Sequence, residues 1–192
     1  MNTIRAFIGV NIGIPAKQQI LELINHLKKS NSDVKWVGEP QMHLTLKFLG
    51  DIEQDKIPEI SNTLKSIALK SSVFEISFSG IGAFPTINRP RIIWLGIGNG
   101  SDNLRTLAAL VEKEMENMGF TKEERDYKAH LTLGRVRSQK NIKELSKLLS
   151  ETSFKYQANI RIDRLTLFQS TLTQKGAIYT ILSEANLASA QA

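Results

Sequence analysis

Side chains repeat every two residues in a strand and every 3.6 in a helix, so apolar spacing separates the two along this chain. Residues 16–29 place Ile20, Leu23, Ile24 and Leu27 on one stripe, with Pro15 at the start. Residues 54–70 do the same with Ile60, Leu64 and Ile67. Residues 104–118 carry Leu104, Leu107, Ala108, Val111, Met115 and Met118, with Asn103 or Asp102 as a cap and Gly119 as a stop. A shorter helix over 141–150 shows Ile142, Leu145 and Leu149. Runs rich in β-branched and aromatic residues predict strands over 3–11, 34–37, 43–49, 73–79, 91–97, 130–136, 154–168 and 177–183. This order predicts an α+β fold with largely antiparallel sheets. The small and polar residues 184–192 predict a frayed tail.

The halves of the chain echo one another. Residues 42–46 read Met-His-Leu-Thr-Leu and residues 129–133 read Ala-His-Leu-Thr-Leu. A helix precedes and follows each copy. Residues 1–192 therefore read as one bilobal domain in which each lobe donates one His-x-Thr-x strand, 43–46 and 130–133.

Composition narrows the function. The 192 residues are 41% hydrophobic, enough for a core and too much for disorder. No run of eighteen apolar residues exists, so no membrane span is expected. Without cysteine there is no disulfide, thiolate nucleophile or Cys-ligated zinc. Ala6–Ile14 has no small-residue cleavage site behind it and reads as a buried first strand, so a cytoplasmic protein is expected. A net charge of +6, scattered along the chain, permits an anionic partner without identifying one.

The chemistry lies in the repeated tetrapeptide. In a strand His43 and Thr45 share one face, as do His130 and Thr132, while the leucines face the core. Two such strands meeting across a cleft would bracket a tetrahedral group with two imidazoles and two hydroxyls. A neutral imidazole can take a proton from water while a protonated one gives a proton to a leaving oxygen, and each threonine can donate to a phosphate oxygen. Purely structural histidines are the simpler reading of either copy alone; repeated polar pairs on apolar strands cost burial energy unless used. Zinc would need a third ligand, and neither copy has one at His-x-x-x-His or His-x-x-Glu spacing.

On these residues the chain resembles the 2H phosphoesterases. Within them, "MHLTLKFLG" (42–50), "IRAFIGV" (4–10), "RPRIIWLG" (89–96), "AHLTLGRV" (129–136) and "LTLFQSTLTQKGAIYTIL" (165–182) are similar to the RNA 2′,3′-cyclic phosphodiesterases, also called 2′-5′ RNA ligases. The resemblance implies a bilobal α+β fold: two pseudo-symmetric antiparallel-sheet lobes with flanking helices and a central cleft. It implies hydrolysis of RNA 2′,3′-cyclic phosphate ends to 2′-phosphomonoesters, with 2′-5′ ligation as the reverse. No metal and no cofactor take part in the implied reaction. His43 is then the proton donor, His130 the acceptor, and Thr45, Thr132 and Arg135 hold the phosphate. The expected partner is RNA with a 2′,3′-cyclic phosphate end, with no membrane, and the expected state is a monomer. The same residues would also suit a phosphodiesterase of a small cyclic nucleotide, or an RNA-end-binding protein without turnover.

Other residues divide between function and packing. Strict alternation puts Arg135 on the Leu131/Leu133 face, away from His130, unless a bulge or strand end near Gly134 intervenes. Lys47 shares the parity of His43 and Thr45 and would meet the RNA backbone, or stand as a surface cation. Phe48, Phe84 and Trp94 could stack a base, although core packing is the simpler expectation for each. Arg89 and Arg91 beside Pro90 suit a basic rim or a solvated loop, and His26 at the edge of its helical stripe suits solvent.

Overall fold

The apolar stripes and alternations resolve, in a computed structural model describing residues 2–155, 159–174 and 176–189, into two antiparallel sheets flanked by helices. In chain order the elements are β1 (Thr3–Asn11), α1 (Ile14–Leu27), β2 (Val34–Trp36), β3 (His43–Glu53), α2 (Ile57–Leu69), β4 (Phe74–Ile76), β5 (Phe78–Thr86) and β6 (Arg89–Ile97). They continue as α3 (Ser101–Asn117), β7 (His130–Val136), α4 (Ile142–Glu151), β8 (Ile160–Ile162), β9 (Arg164–Thr173) and β10 (Gly176–Asn186).

One sheet runs β10-β9-β1-β3 and the other β2-β7-β6-β5; β4 and β8 form a separate pair. Every ladder is antiparallel. The two motif strands lie in different sheets, β3 at an edge and β7 between β2 and β6. Their Cα atoms approach within 8 Å. The halves also exchange material: β2 joins the second sheet, while β9 and β10 from the end of the chain complete the first.

The helices bury the predicted stripes. Ile20, Leu23, Ile24 and Leu27 of α1 and Ile60, Leu64 and Ile67 of α2 are buried, as are Leu104, Leu107, Val111 and Met115 of α3. Helix α2 packs on β9 and β10, and α3 on β3, covering one face of the first sheet. Helix α3 begins at Ser101, so Gly100 caps it rather than Asp102 or Asn103. Gly100 has φ +77°, and a Cβ there would run into the Glu75 carbonyl, which leaves glycine as the fit.

Three strand expectations change. The run 73–79 divides at Ser77 into β4 and β5, and β5 continues to Thr86 through Gly80, Gly82 and Pro85, residues that weaken a strand pattern. The run 154–168 is interrupted at Asp163, where β8 ends before β9, and residues 156–158 lie outside the described residues. The expected fraying from residue 184 does not occur over the described part of the tail. There β10 extends to Asn186, Leu187 is buried, and the Ala188 amide donates to the carbonyls of Ala68 and Ser71 at the end of α2. Residues 190–192 lie outside the described residues.

Candidate active site

Each motif histidine is oriented by the backbone two residues before it. Nδ1 of His43 donates to the Gln41 carbonyl at 2.8 Å, and Nδ1 of His130 to the Lys128 carbonyl at 2.6 Å. These bonds put the neutral-state proton on Nδ1 and leave Nε2 as the reactive nitrogen in both rings. At His43 the Thr45 hydroxyl donates to Nε2 at 3.0 Å. The Gln41 side chain is itself fixed, accepting from the Gly38 amide and donating to the Ala177 carbonyl.

Strict alternation fails at the same place in both strands. Thr45 pairs with Gly9 and Lys47 with Ile8, so Leu46 has no partner on β1. Thr132 pairs with Trp94 and Gly134 with Ile93, so Leu133 has none on β6. A bulge inverts the parity beyond it. Lys47 therefore turns to the Ile8 face, where it is 5% exposed and donates to Glu112 of α3 at 2.6 Å and to the Thr121 carbonyl at 2.9 Å. It does not share the face of His43, which corrects the expectation of an RNA-contacting or surface lysine. Phe48 takes the position beside His43 and Thr45 instead and is 63% exposed, so core packing does not hold for it. On β7 the bulge at Leu133 brings Arg135 to the face of His130 and Thr132, opposite Ile92.

Aromatic rings wall both imidazoles. His43 lies 4.6 Å from Phe7, 4.9 Å from Tyr179 in edge-on contact, and 5.6 Å from Phe168. His130 meets Phe84 edge-on at 5.3 Å and Trp94 at 6.5 Å. Half-buried Phe84 and Trp94 thus pack against a motif histidine. Burial lowers the His43 pKa to about 4, with Lys17 acting in the same direction and the bond to Gln41 opposing. Burial also lowers His130, aided by Arg135 and opposed by the bond to Lys128. Tyr179 is raised by burial, against the pull of Arg135 and Arg5. Arg135 thus acts on His130 of its own sheet and on Tyr179 of the other, placing its charge at the junction of the two.

Sequence reasoning missed Tyr179, because only the long-range pairings β1–β9 and β9–β10 bring it beside His43, and Arg5, because its charge acts on that tyrosine across the same sheet. Arg89 and Arg91 are exposed at the start of β6 with Pro90 buried between them. His26 is half-buried on α1, in a surface groove with Thr152 that contains neither motif histidine. Among the described residues, no three His, Cys, Asp or Glu side chains gather as a metal-binding group, and no helix is long and apolar enough to cross a membrane.

The family model LigT like Phosphoesterase matches residues 12–94 and residues 96–179, one match in each half. An RNA 2′,3′-cyclic phosphodiesterase of Aeropyrum pernix is 33% identical over 171 residues, covering 89% of this chain and 96% of the relative. One of Thermotoga maritima is 35% identical over 180 residues, 94% of each. In three dimensions the chain is similar to the protein TT0787 of Thermus thermophilus, with a TM-score of 0.82 at 20% identity over 98% of this chain and all of that one. It is also similar to E. coli LigT complexed with 3′-AMP, with a TM-score of 0.80 at 20% identity over 97% and 99% of the two chains.

Proposed function

Because the chain belongs to the LigT-like phosphoesterase family, we propose that it hydrolyses the 2′,3′-cyclic phosphate at an RNA 3′ end to a 2′-phosphate, with His43 and His130 as acid and base. The observation that carries this reading is the matched pair of imidazoles, each with Nδ1 tied to a backbone carbonyl and Nε2 left as the nitrogen for proton transfer, which at His43 accepts from the Thr45 hydroxyl. The names of the relatives supply the cyclic phosphate and the RNA.

Water attacks phosphorus and loses its proton to Nε2 of neutral His130. The bond from phosphorus to the 3′ oxygen breaks, and that oxygen takes a proton from Nε2 of protonated His43. His130 ends charged and His43 neutral, and exchange with solvent resets both. Thr45, Thr132 and Arg135 stabilise the charge that develops on the nonbridging oxygens. In the free protein His43 holds a proton poorly; a phosphodiester anion against Nε2 favours the charged imidazole, so the acid is armed by its substrate. With a 5′-hydroxyl in place of water as the nucleophile, the same ring opening forms a 2′-5′ linkage.

The two walls differ in use. Exposed Phe48, on the His43 face, offers a ring for the terminal base. The protein acts as a monomer in this reading and uses no metal.

The test is a chromatographic assay with EDTA on a short RNA ending in a 2′,3′-cyclic phosphate, comparing wild type with His43→Ala and His130→Ala. The expected product is the 2′-phosphate, with each variant slowed about 10²–10⁴-fold. A 3′-phosphate product would reverse the leaving-group assignment. No product from RNA, but turnover of a small cyclic nucleotide, would favour the smaller substrate. Tight RNA binding without turnover of either would make the protein an RNA-end binder.

A further inference from the structure

The face of the first sheet that carries His43 holds more than the cyclic phosphate requires. Phe48, Phe7, Phe168 and Ile181 stand in register across its four strands. Phe7 and Phe168 are buried, whereas the outer pair, Phe48 and Ile181, is exposed. Tyr179, two residues before Ile181, shares this face, with its ring 5.0 Å from Phe7 and edge-on to it. Arg5, two residues before Phe7, shares it as well and is exposed. Asp51 is its ladder partner, yet Arg5 forms no ion pair among the described residues.

Arg135 approaches the same tyrosine from the second sheet and is likewise exposed and without an ion pair among the described residues. Both guanidiniums act on the Tyr179 phenol. One phenol beside His43 is thus flanked by two unpaired cations from opposite sheets. A cyclic phosphate between the histidines gives Arg135 an anion; Arg5 is left without one. In RNA, the ribose bearing the cyclic phosphate is joined through its 5′ oxygen to a phosphodiester, an anion that a mononucleoside cyclic phosphate lacks.

We propose that Arg5 and Tyr179 form a second phosphate subsite, which holds the phosphodiester immediately upstream of the cyclic phosphate and so selects RNA ends over nucleoside 2′,3′-cyclic monophosphates. This rests on the cyclic phosphate occupying the His43–His130 cleft. The Arg5 fork donates two N–H groups to nonbridging oxygens and the Tyr179 hydroxyl donates a third hydrogen bond. Leu172, paired with Ala177, and Ile181 stand exposed on the same face to either side of Tyr179 and offer apolar surface to the upstream nucleoside.

The experiment compares kcat/KM on adenosine 2′,3′-cyclic phosphate with kcat/KM on the dinucleotide ApA ending in the same cyclic phosphate. Wild type should favour the dinucleotide by about tenfold or more, since hydrogen bonds to a charged group are worth at least that. Arg5→Gln should lose most of this preference, falling further on the dinucleotide than on the mononucleotide. Arg5→Lys should recover part of it, and Tyr179→Phe should reduce it. No preference in wild type, or equal losses on both substrates in Arg5→Gln, would overturn the subsite. Reaction of neither substrate with wild type would overturn the hydrolysis reading itself, and the subsite with it.

Discussion

Phe48 and Arg135 occupy the same place in the two motif strands: each stands five residues after its histidine, beyond a bulge at the last leucine of His-Leu-Thr-Leu. The bulge is the device that presents them. Without it, Lys47 and Gly134 would face the histidines. The pseudo-twofold relation of the halves therefore delivers an aromatic ring to one side and a cation to the other from one backbone irregularity.

That difference separates binding from chemistry. Phe48→Ala is expected to raise KM for a cyclic-phosphate RNA about tenfold, as stacking one base is worth about 1–3 kcal/mol, with kcat little changed. Phe48→Trp should retain low KM. Arg135→Gln should lower kcat about 10²-fold, because its charge matters most as the phosphate oxygens gain charge. Steady-state kinetics of the three variants on one oligonucleotide checks the pattern, and a Phe48→Ala variant altered in kcat alone would remove the base contact.

The buried histidines make stability depend on pH. Between the ordinary imidazole value of 6.5 and about 4, the unfolded chain binds a proton at residue 43 that the folded chain does not. Stability is therefore full above pH 6.5 and falls as pH drops through that window, by up to about 3 kcal/mol, with His130 adding in the same direction. Urea unfolding from pH 7.5 to 4 should show this slope, flattened in His43→Gln. An unchanged slope in that variant would refute the assignment. For the same reason kcat/KM, which reports the free protein, should already be declining with rising pH below 6.5, while kcat holds to higher pH.

The motif pair, the four helices and the shared face of each histidine and threonine were legible because they depend on local period. Positions beyond Leu46 and Leu133 were not, because a bulge is defined by its partner strand. The conflict over Arg135 could be posed from sequence, and its resolution needed the Gly134–Ile93 pairing. Lys47 gave no such warning, since a lysine in an apolar strand reads as exposed until Glu112 is brought to it from α3. Nor could local pattern assign β2 to the second sheet or set Tyr179 beside His43, for each depends on contacts across much of the chain.

Burial of Lys47 makes its partner costly to remove. Glu112 accepts from Lys47 and also from the Glu123 amide, tying β3 and α3 to the segment that leads into β7. Glu112→Ala leaves an ammonium buried without its carboxylate and should cost about 3–5 kcal/mol, whereas Lys47→Met replaces the charge with apolar volume and should cost less. Chemical denaturation of the two variants and their combination checks the order. Lys47→Met being the more damaging, with the double variant no better, would show that the bond to the Thr121 carbonyl matters more than the ion pair.

Gly82 should prove as sensitive as a motif residue, although it touches neither histidine. The Trp94 ring lies directly on it, so that a Cβ at position 82 would overlap the indole. Trp94 in turn pairs with Thr132, packs against Phe84 at 5.4 Å and stands beside His130. Gly82→Ala must push the indole off the sheet and into the wall around His130. Overpacking of this kind costs about 1–3 kcal/mol, and kcat should fall together with stability because the ring that moves borders His130, the proposed base. Trp94→Leu, smaller and flexible, makes room for the new methyl. The double variant Gly82→Ala/Trp94→Leu should therefore be more stable than the sum of the single losses allows, which a denaturation cycle measures directly. Additive losses would mean that the indole is not what forbids a side chain at Gly82.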